Sequence, residues 1–348
     1  MTLISTFSYH RCSSIVMKSS LVLLLTAMYS CCNAFSSISA PVSSSTLAGF
    51  DYTTSNKLPW NKEGYQTWKW NDNEINYIEM GDSSKPPLLL IHGFGASAYH
   101  FRYNIPVLAR DYHVFAFDLL GFGLSSKPVQ EYPAAVWRDQ TVDFIQNVIG
   151  KPVTVAGNSL GGFTALYAAA TQPDLVEGCI LLNSAGTFRN PEKQEEPPPP
   201  QWLQTIQTAI QRLVIGVSFV YTKQPARIEQ VLKQVYPIAS DMVDADLVES
   251  IQVPSFHPNA PEVFYQVISQ TSKRQVMIED LLEILKCPLF LCWGEHDPWI
   301  RPAAADKMES LYANCKRVTI DAGHCPHDEA PEAVNLAIQE FMEELHSC

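Results

Sequence analysis

The strongest constraint on this fold is a glycine-rich turn, Gly-Asn-Ser-Leu-Gly at residues 157–161, that separates a strand pattern from a helix pattern. Residues 153–156 are largely apolar and β-branched, which predicts a short buried strand. An alanine- and leucine-rich run follows the turn and predicts a helix. Gly157 and Gly161 are required there because a side chain would collide with the neighbouring strand or helix. Such a turn can present a serine hydroxyl for chemistry, or it can be a purely structural connection.

Strand patterns alternate with helix patterns on both sides of this turn. Five further apolar segments predict buried strands: residues 88–91, 114–117, 179–182, 288–293 and 317–320. Residues 101–110 and 134–149 predict helices, as does the stretch from about residue 331 to the C-terminus. Residues 68–70 and 75–80 predict a hairpin of edge strands. The alternation predicts an α/β fold with a mostly parallel sheet that helices cover on both faces.

The alternation stops at Ser184, and residues 185–275 predict a helical cap between two parts of a core, residues 61–184 and 276–348. The cap contains a long helix pattern whose apolar residues fall near one face: Trp202, Ile206, Ile210, Leu213, Val214 and Val217. We expect this face to pack against the core; the alternatives are an apolar wall over an active site and a surface that dips into lipid. Polar residues in the same helix exclude a transmembrane span: Gln204, Gln207, Gln211 and Arg212.

The N-terminal segment has the composition of a targeting sequence. Residues 1–34 predict a signal peptide, and their apolar stretch at 21–28 is too short to span a membrane. Residues 35–60 predict a transit peptide or disordered linker, because residues 35–49 hold six serines and no acidic side chain. The two segments together resemble the two-part plastid presequence of algae with complex plastids. We expect a chloroplast location, and the alternative is a secreted protein.

Composition and charge limit the classes of partner. The 348 residues carry a net charge of −12, and 46% of them are hydrophobic, which predicts a large packed core. So acidic a chain argues against nucleic-acid binding, which requires a basic face. Of the nine cysteines, the six that follow residue 32 show no metal-ligand spacing, so we expect them to be buried reduced thiols and predict no metal or cofactor. The expected partner is an apolar small molecule, with peripheral contact to a thylakoid membrane left open.

Three polar side chains follow three separate predicted strands, at the edge where parallel sheets place their ligands: Ser159, Asp297 and His324. A serine is a weak nucleophile until an adjacent base takes its proton. A histidine is suited to that exchange, and a buried aspartate fixes the histidine tautomer. The backbone N–H groups of Phe94 and Leu160 are predicted to form an oxyanion hole for the same reaction.

Each assignment has an alternative in the sequence. Asp297 could serve only to begin the next helix, and Glu295 or His296 could orient the imidazole in its place. His327 could replace His324 as the base. Two other polar residues near predicted turns are expected to be structural: His92 and Asp118.

The chain order serine, aspartate, histidine is that of the α/β-hydrolases. Three segments carry a closer resemblance: AGNSLGGFTALYAAATQPDLVEGCILLN at 156–183, EHDPWIRP at 295–302 and AGHCPHDEAPEAVN at 322–335. These segments, with 231–236 of the cap, resemble the plastid pheophytinases and chlorophyll dephytylases. The resemblance implies the α/β-hydrolase fold with an inserted cap, and hydrolysis of the phytyl ester of pheophytin or chlorophyll.

The nucleophile position distinguishes this chain from other enzymes of the same fold. Haloalkane dehalogenases and soluble epoxide hydrolases carry a carboxylate where this chain has Ser159, so ester hydrolysis or another acyl transfer is expected. Two other functions remain open. One is a plastid hydrolase of other lipid or small esters, and the other is a receptor-like α/β-hydrolase that binds a small ligand with little turnover.

Overall fold

The structure is a computed structural model that describes residues 50–189, 200–270 and 276–347. The predicted signal peptide, residues 1–34, and most of the predicted transit segment, residues 35–60, lie outside the described residues. Eight strands form one sheet: β1 Gln66–Trp70, β2 Asn73–Met80, β3 Pro87–Ile91, β4 His113–Phe117, β5 Val153–Asn158, β6 Val176–Leu182, β7 Leu289–Gly294 and β8 Cys315–Ile320.

The sheet has the spatial order β1-β2-β4-β3-β5-β6-β7-β8. The β1–β2 and β2–β4 pairs are antiparallel, and every other pair is parallel. The predicted mostly parallel sheet is therefore confirmed. The prediction that both strands of the first hairpin lie at the edge is wrong for β2, which pairs with β4 on its second side.

From β3 to β6 the helices alternate with the strands, and several helices follow one another between β6 and β7. The helices are α1 Ile105–Leu108, α2 Ala134–Phe144, α3 Leu160–Thr171, α4 Gln201–Thr222, α5 Pro225–Val235, α6 Ala245–Ser255, α7 Ala260–Gln270, α8 Ile278–Ile284, α9 Ala303–Leu311, α10 Pro326–Glu329 and α11 Pro331–His346. Short 3₁₀ helices span Ala98–Phe101 and Ser240–Met242, and a π-helical turn, Ile145–Ile149, continues α2. The single helix predicted over residues 101–110 is wrong. Pro106 lacks an N–H and is accommodated in the first turn of a helix, so α1 begins only at Ile105.

Both faces of the sheet are buried. Along β3, Leu89 and Ile91 join one apolar cluster, while Leu88 and Leu90 join a second on the other face. Side chains alternate across a strand, so a strand with no exposed residue must be covered on both sides. Within the described ranges, four cysteines are buried free thiols, as predicted: Cys179, Cys287, Cys292 and Cys325. Cys315 is free and partly exposed.

The segment between β6 and β7 contains α4 to α8, and we call its first four helices, α4 to α7, the helical insert. The packing of α4 corrects one prediction. Ile210, Leu213 and Val217 were expected to pack on the core, yet they are 57%, 68% and 57% exposed. Among the α4 side chains that the structure describes, the buried ones are Ile215 and Phe219, because α4 packs on α7, with the Phe219 ring 5.2 Å from that of Phe264. The side chains of Trp202 and Ile206 lie outside the described set. None of the helices in the described ranges is long and apolar enough to cross a bilayer.

A buried arginine joins this helical segment to the core. The Arg102 guanidinium is fully buried and donates to both carboxylate oxygens of Asp328, at 2.8 and 3.2 Å. It also donates to Asp244 Oδ1 at 2.5 Å and to the Met242 carbonyl at 2.7 Å. The Tyr236 hydroxyl donates to Asp328 Oδ2 at 2.8 Å. Arg102 and Asp328 of the core thus share one charged network with residues of the segment between β6 and β7.

We predict that Arg102→Met destabilises the protein by about 3–5 kcal/mol, because it leaves the buried Asp328 carboxylate without its cation. Urea unfolding followed by circular dichroism measures this change. The double variant Arg102→Met/Asp328→Asn is the control, and it should recover part of the loss because no uncompensated charge remains buried. An Arg102→Met variant with wild-type stability would show that the network contributes nothing.

Candidate active site

Ser159 sits on a strained turn between β5 and α3. Its backbone has φ 54° and ψ −116°, a region that side-chain-bearing residues rarely adopt. Main-chain bonds hold it there: Ser159 N–H donates to the Leu182 carbonyl at 3.1 Å, and the Ser159 carbonyl accepts from Ala185 N–H at 2.9 Å. The predicted sharp turn after the strand is confirmed.

The glycines around Ser159 are required by close backbone approach, as predicted. A Cβ at Gly157 would collide with the Gly161 carbonyl, and one at Gly161 would collide with the Ile91 carbonyl of β3. A Cβ at Gly162 would lie 2.7 Å from Ser184 Cβ. The backbone of the turn therefore packs directly against the sheet and against α3, and this contact fixes the position of Ser159 relative to the end of β5.

His324 and Asp297 are hydrogen-bonded to each other at the same edge of the sheet. His324 Nδ1 lies 2.7 Å from Asp297 Oδ2, and both residues are 4% exposed. The other carboxylate oxygen, Oδ1, accepts the N–H groups of Trp299 and Ile300 at 2.7 and 3.0 Å. Asp297 thus holds the loop after β7 through Oδ1 and orients the His324 imidazole through Oδ2.

The Asp297 carboxylate is held in its charged form. Burial disfavours the charge, but the hydrogen bond and the coulombic attraction of His324 and the N–H donors of the loop outweigh it, so the pKa of Asp297 lies below its ordinary value. Asp297 therefore stays ionised at neutral pH. Its contribution to stability is present above the ordinary aspartate pKa and is lost as the pH falls through the lowered value.

The residues that the sequence offered as alternatives to Asp297 and His324 lie elsewhere. Glu295 and His296 are exposed, and His296 Nε2 pairs with Asp321 at 3.0 Å on the surface. His327 is fully buried, and neither of its ring nitrogens has a hydrogen-bond partner among the described residues. Of the two candidate histidines, only His324 touches Asp297.

Ser159 and His324 line one cavity of about 340 Å³. Ser159 Oγ makes no hydrogen bond within the described part of the chain, so the serine–histidine contact is not closed in this conformation. Catalytic hydrogen bonds are often long without substrate and tighten when it binds.

The predicted oxyanion donors flank Ser159. An ideal Cβ on Gly93 would lie 3.3 Å from Ser159 Cβ, which places the turn that carries Phe94 directly beside the serine. Leu160 is the first residue of α3, so its N–H has no acceptor within that helix. The Phe94 side chain is 41% exposed at the cavity rim.

His92 and Asp118 are structural, as predicted. His92 is fully buried; its Nε2 accepts from Leu119 N–H at 2.9 Å, and its Nδ1 lies 2.7 Å from the Gly93 carbonyl. Burial lowers the pKa of His92, so the ring is neutral and ties the Gly93 turn to the next loop. The Asp118 carboxylate accepts from Leu124 N–H at 2.6 Å within its own loop, and from Ala98 N–H at 2.7 Å at the start of the 3₁₀ helix after β3.

Two asparagines that sequence reasoning did not single out hold the site together. Asn158 Nδ2 donates to the carbonyls of Leu182 and His324 at 3.0 and 2.9 Å. Asn183 Nδ2 donates to Asp297 Oδ2 at 2.7 Å, and Asn183 Oδ1 accepts from Gly294 N–H at 2.8 Å. The available signal was their position, since each stands at the C-terminal end of a buried strand.

The cavity wall is mostly apolar, and much of it comes from the helical insert: Phe219, Ile228, Val231, Leu232, Val235, Ile251, Val263 and Phe264. Lys127 is a buried cation in this wall. Its ammonium donates to the carbonyls of Gly123 and Ser125 at 2.6 and 3.0 Å, and burial lowers its pKa to about 8. No cluster of His, Cys, Asp or Glu side chains in the described ranges is arranged to hold a metal ion.

Comparison with known proteins gives the family. The alpha/beta hydrolase fold family matches residues 86–331, and this chain belongs to that family. Over 314 residues it is 31% identical to the chloroplastic pheophytinase of Arabidopsis thaliana, an alignment that covers 78% of this chain and 65% of that protein. The chain thus spans about 65% of the length of that relative. It is also 27% identical over 267 residues to Lipase 1 of Psychrobacter immobilis, covering 73% of this chain and 76% of the lipase.

Solved structures support the same fold. A bacterial membrane phospholipase A matches with a TM-score of 0.66 and 24% identity, covering 96% of this chain and 99% of that one. A meta-cleavage product hydrolase from Pseudomonas fluorescens matches with a TM-score of 0.66 and 22% identity, covering 82% and 99%. At these identities the likeness concerns the fold alone, and the predicted α/β-hydrolase fold is confirmed.

We predict that His327→Phe makes stability less sensitive to acid. Burial holds the pKa of His327 at about 3, against about 6.5 in the unfolded chain. The unfolded state therefore takes up a proton that the folded state refuses, and stability is lost as the pH falls from 6.5 towards 3. Removing this group should flatten the slope of unfolding free energy against pH by up to about 1.4 kcal/mol per pH unit. Urea titrations at pH 7, 6 and 5 measure the slope, and an unchanged slope would contradict the prediction.

Proposed function

We propose that this protein is a serine hydrolase that cleaves a carboxylic ester with Ser159, His324 and Asp297. The observation that carries the proposal is the 2.7 Å contact between His324 and Asp297, beside a cavity that the strained Ser159 also lines. The donor Nδ1–H faces the ionised aspartate, so Nε2 is left as the basic nitrogen. That arrangement is what a serine needs in order to lose its proton.

The reaction proceeds in two halves. Ser159 Oγ attacks the ester carbonyl carbon while its proton passes to His324 Nε2, and the N–H groups of Phe94 and Leu160 donate to the resulting oxyanion. His324 then gives that proton to the alcohol oxygen as the carbon–oxygen bond breaks, which leaves an acyl-enzyme. Water attacks the acyl carbon, His324 accepts its proton, and the carboxylic acid departs as Ser159 regains a hydrogen.

We further propose that the ester is the phytyl ester of pheophytin or chlorophyll, so that the products are phytol and the free propionate of the pigment. Support comes from the 31% identity to a chloroplastic pheophytinase and from the apolar wall of the cavity, which suits a long isoprenoid chain. The same relative, with the composition of residues 1–60, supports a chloroplast location. Other lipid or small esters form the second candidate, favoured by the similarity to Lipase 1.

We predict that Ser159→Ala abolishes hydrolysis of a p-nitrophenyl ester without changing the melting temperature, because it removes only the nucleophile. Asp297→Asn should lower kcat by about 10⁴-fold, since the amide no longer fixes the imidazole tautomer. Stopped-flow absorbance reports both the acyl-enzyme burst and the steady state. Turnover by the alanine variant would reject the mechanism, and a wild type that binds but does not turn over would indicate a receptor.

For the substrate, we predict that the purified protein releases pheophorbide and phytol from pheophytin a. Chlorophyll a, which differs by the central magnesium, is tested in parallel to establish the metallation preference. Chromatography of the pigments measures both reactions, with Ser159→Ala as the matched control. Cleavage of small esters with no release from either pigment would reject the phytyl-ester substrate while leaving the serine hydrolase intact.

A further inference from the structure

Helix α4 presents an apolar stripe to solvent. Ile210, Leu213, Val217 and Val220 recur at intervals of three and four residues, which places their side chains along one side of the helix. They are 57–68% exposed. At 1.5 Å per residue the stripe is about 15 Å long. We call these four residues the α4 stripe; a continuous exposed apolar surface of this kind marks a contact site.

The α4 stripe adjoins the mouth of the cavity. Phe219 and Lys223, at the C-terminal end of the same helix, line the cavity. Across the rim, Ser255 also lines it, and the neighbouring Phe256 is 61% exposed. The Lys223 ammonium lies 5.2 Å from the centre of the Phe256 ring, so the apolar surface runs from the stripe to the cavity entrance.

The charge of α4 differs from that of the rest of the chain. The protein holds 36 acidic residues, yet none lies in residues 200–224. The two cations of this stretch are Arg212 and Lys223. Arg212 pairs with Glu262 of α7 at 2.5 Å, whereas Lys223 has no carboxylate partner in the part of the chain that the structure describes. An apolar stripe with a cation at its end and no carboxylate suits a lipid headgroup layer.

We propose that the α4 stripe docks on the surface of a lipid bilayer, with its apolar side chains at the boundary between headgroups and acyl chains and Lys223 at the level of the phosphates. In this orientation Lys223, which lines the cavity, lies at the bilayer surface. A protein bound to the stripe and to Phe256 would block the rim of the cavity. Fluid lipid contacts the same surface and still allows an apolar ester to enter the cavity. The delivery of an ester rests on the proposed function, whereas the docking rests on the exposed α4 stripe and the charge of α4.

The test is flotation of the full chain with phosphatidylcholine vesicles in a density gradient. The wild type should float with the vesicles, with little dependence on salt, because apolar insertion rather than net charge drives the binding. Leu213→Glu/Val217→Glu should lower the partition coefficient at least about tenfold. The matched control is Gln207→Glu/Gln211→Glu, which adds the same two charges at the same spacing on another side of α4 and should float like the wild type.

Hydrolysis of a soluble p-nitrophenyl ester separates this proposal from the catalytic one, since the stripe residues do not line the cavity and both double variants should retain that activity. A wild type that stays at the bottom of the gradient would overturn the docking, as would a stripe variant that floats normally. A dimer in light scattering that dissociates in the stripe variant would also overturn it, because the stripe would then bind a second copy.

Discussion

The position of Ser159 depends on the turn between β5 and α3, whose glycines have no room for side chains. The chain leaves β5 and enters α3 within a few residues, and Gly157 and Gly161 pass so close to neighbouring carbonyls that any larger residue would displace the sheet or the helix. The turn places Ser159 in a left-handed conformation at the carboxyl edge of a parallel sheet. The strain is tolerated because β3 and β6 lie on either side of β5, and because the main chain of Ser159 bonds to Leu182 at the end of β6 and to Ala185 three residues later.

Asp297 and His324 lie at the same edge of the sheet as Ser159, and asparagine side chains hold them in place. Asn158 binds the carbonyl of His324, and Asn183 binds the carboxylate of Asp297. These bonds run from residues at strand ends, so the positions of Asp297 and His324 depend on the sheet as well as on their own loops. The insert contributes as well, because His324 N–H donates to the Val235 carbonyl at the end of α5 at 3.0 Å. A backbone hydrogen bond therefore joins the cavity wall to the loop that carries His324.

Much of this arrangement followed from the sequence, because its signals are local or repetitive. Apolar runs located the central strands, and glycines located the serine turn. The pairing of β2 on both sides depends on contacts between distant residues, which periodicity does not encode. Pro106, by contrast, was a local signal for the split of α1 from its 3₁₀ turn. His324 was assigned from its place after a predicted strand, and its contact with Asp297 is what distinguishes it from His327. The same holds for α4: its pattern showed which residues are apolar, but α7 decided which of them are buried.

The account depends most on activation of Ser159 by His324. The direct measurement is the rate at which a fluorophosphonate ester labels the protein, followed by intact-mass spectrometry with peptide mapping. If His324 activates Ser159, a single adduct forms on Ser159, about 10²–10⁴ times more slowly in His324→Ala. Labelling of Ser159 at the same rate without the imidazole, or no labelling of the wild type at all, would contradict it.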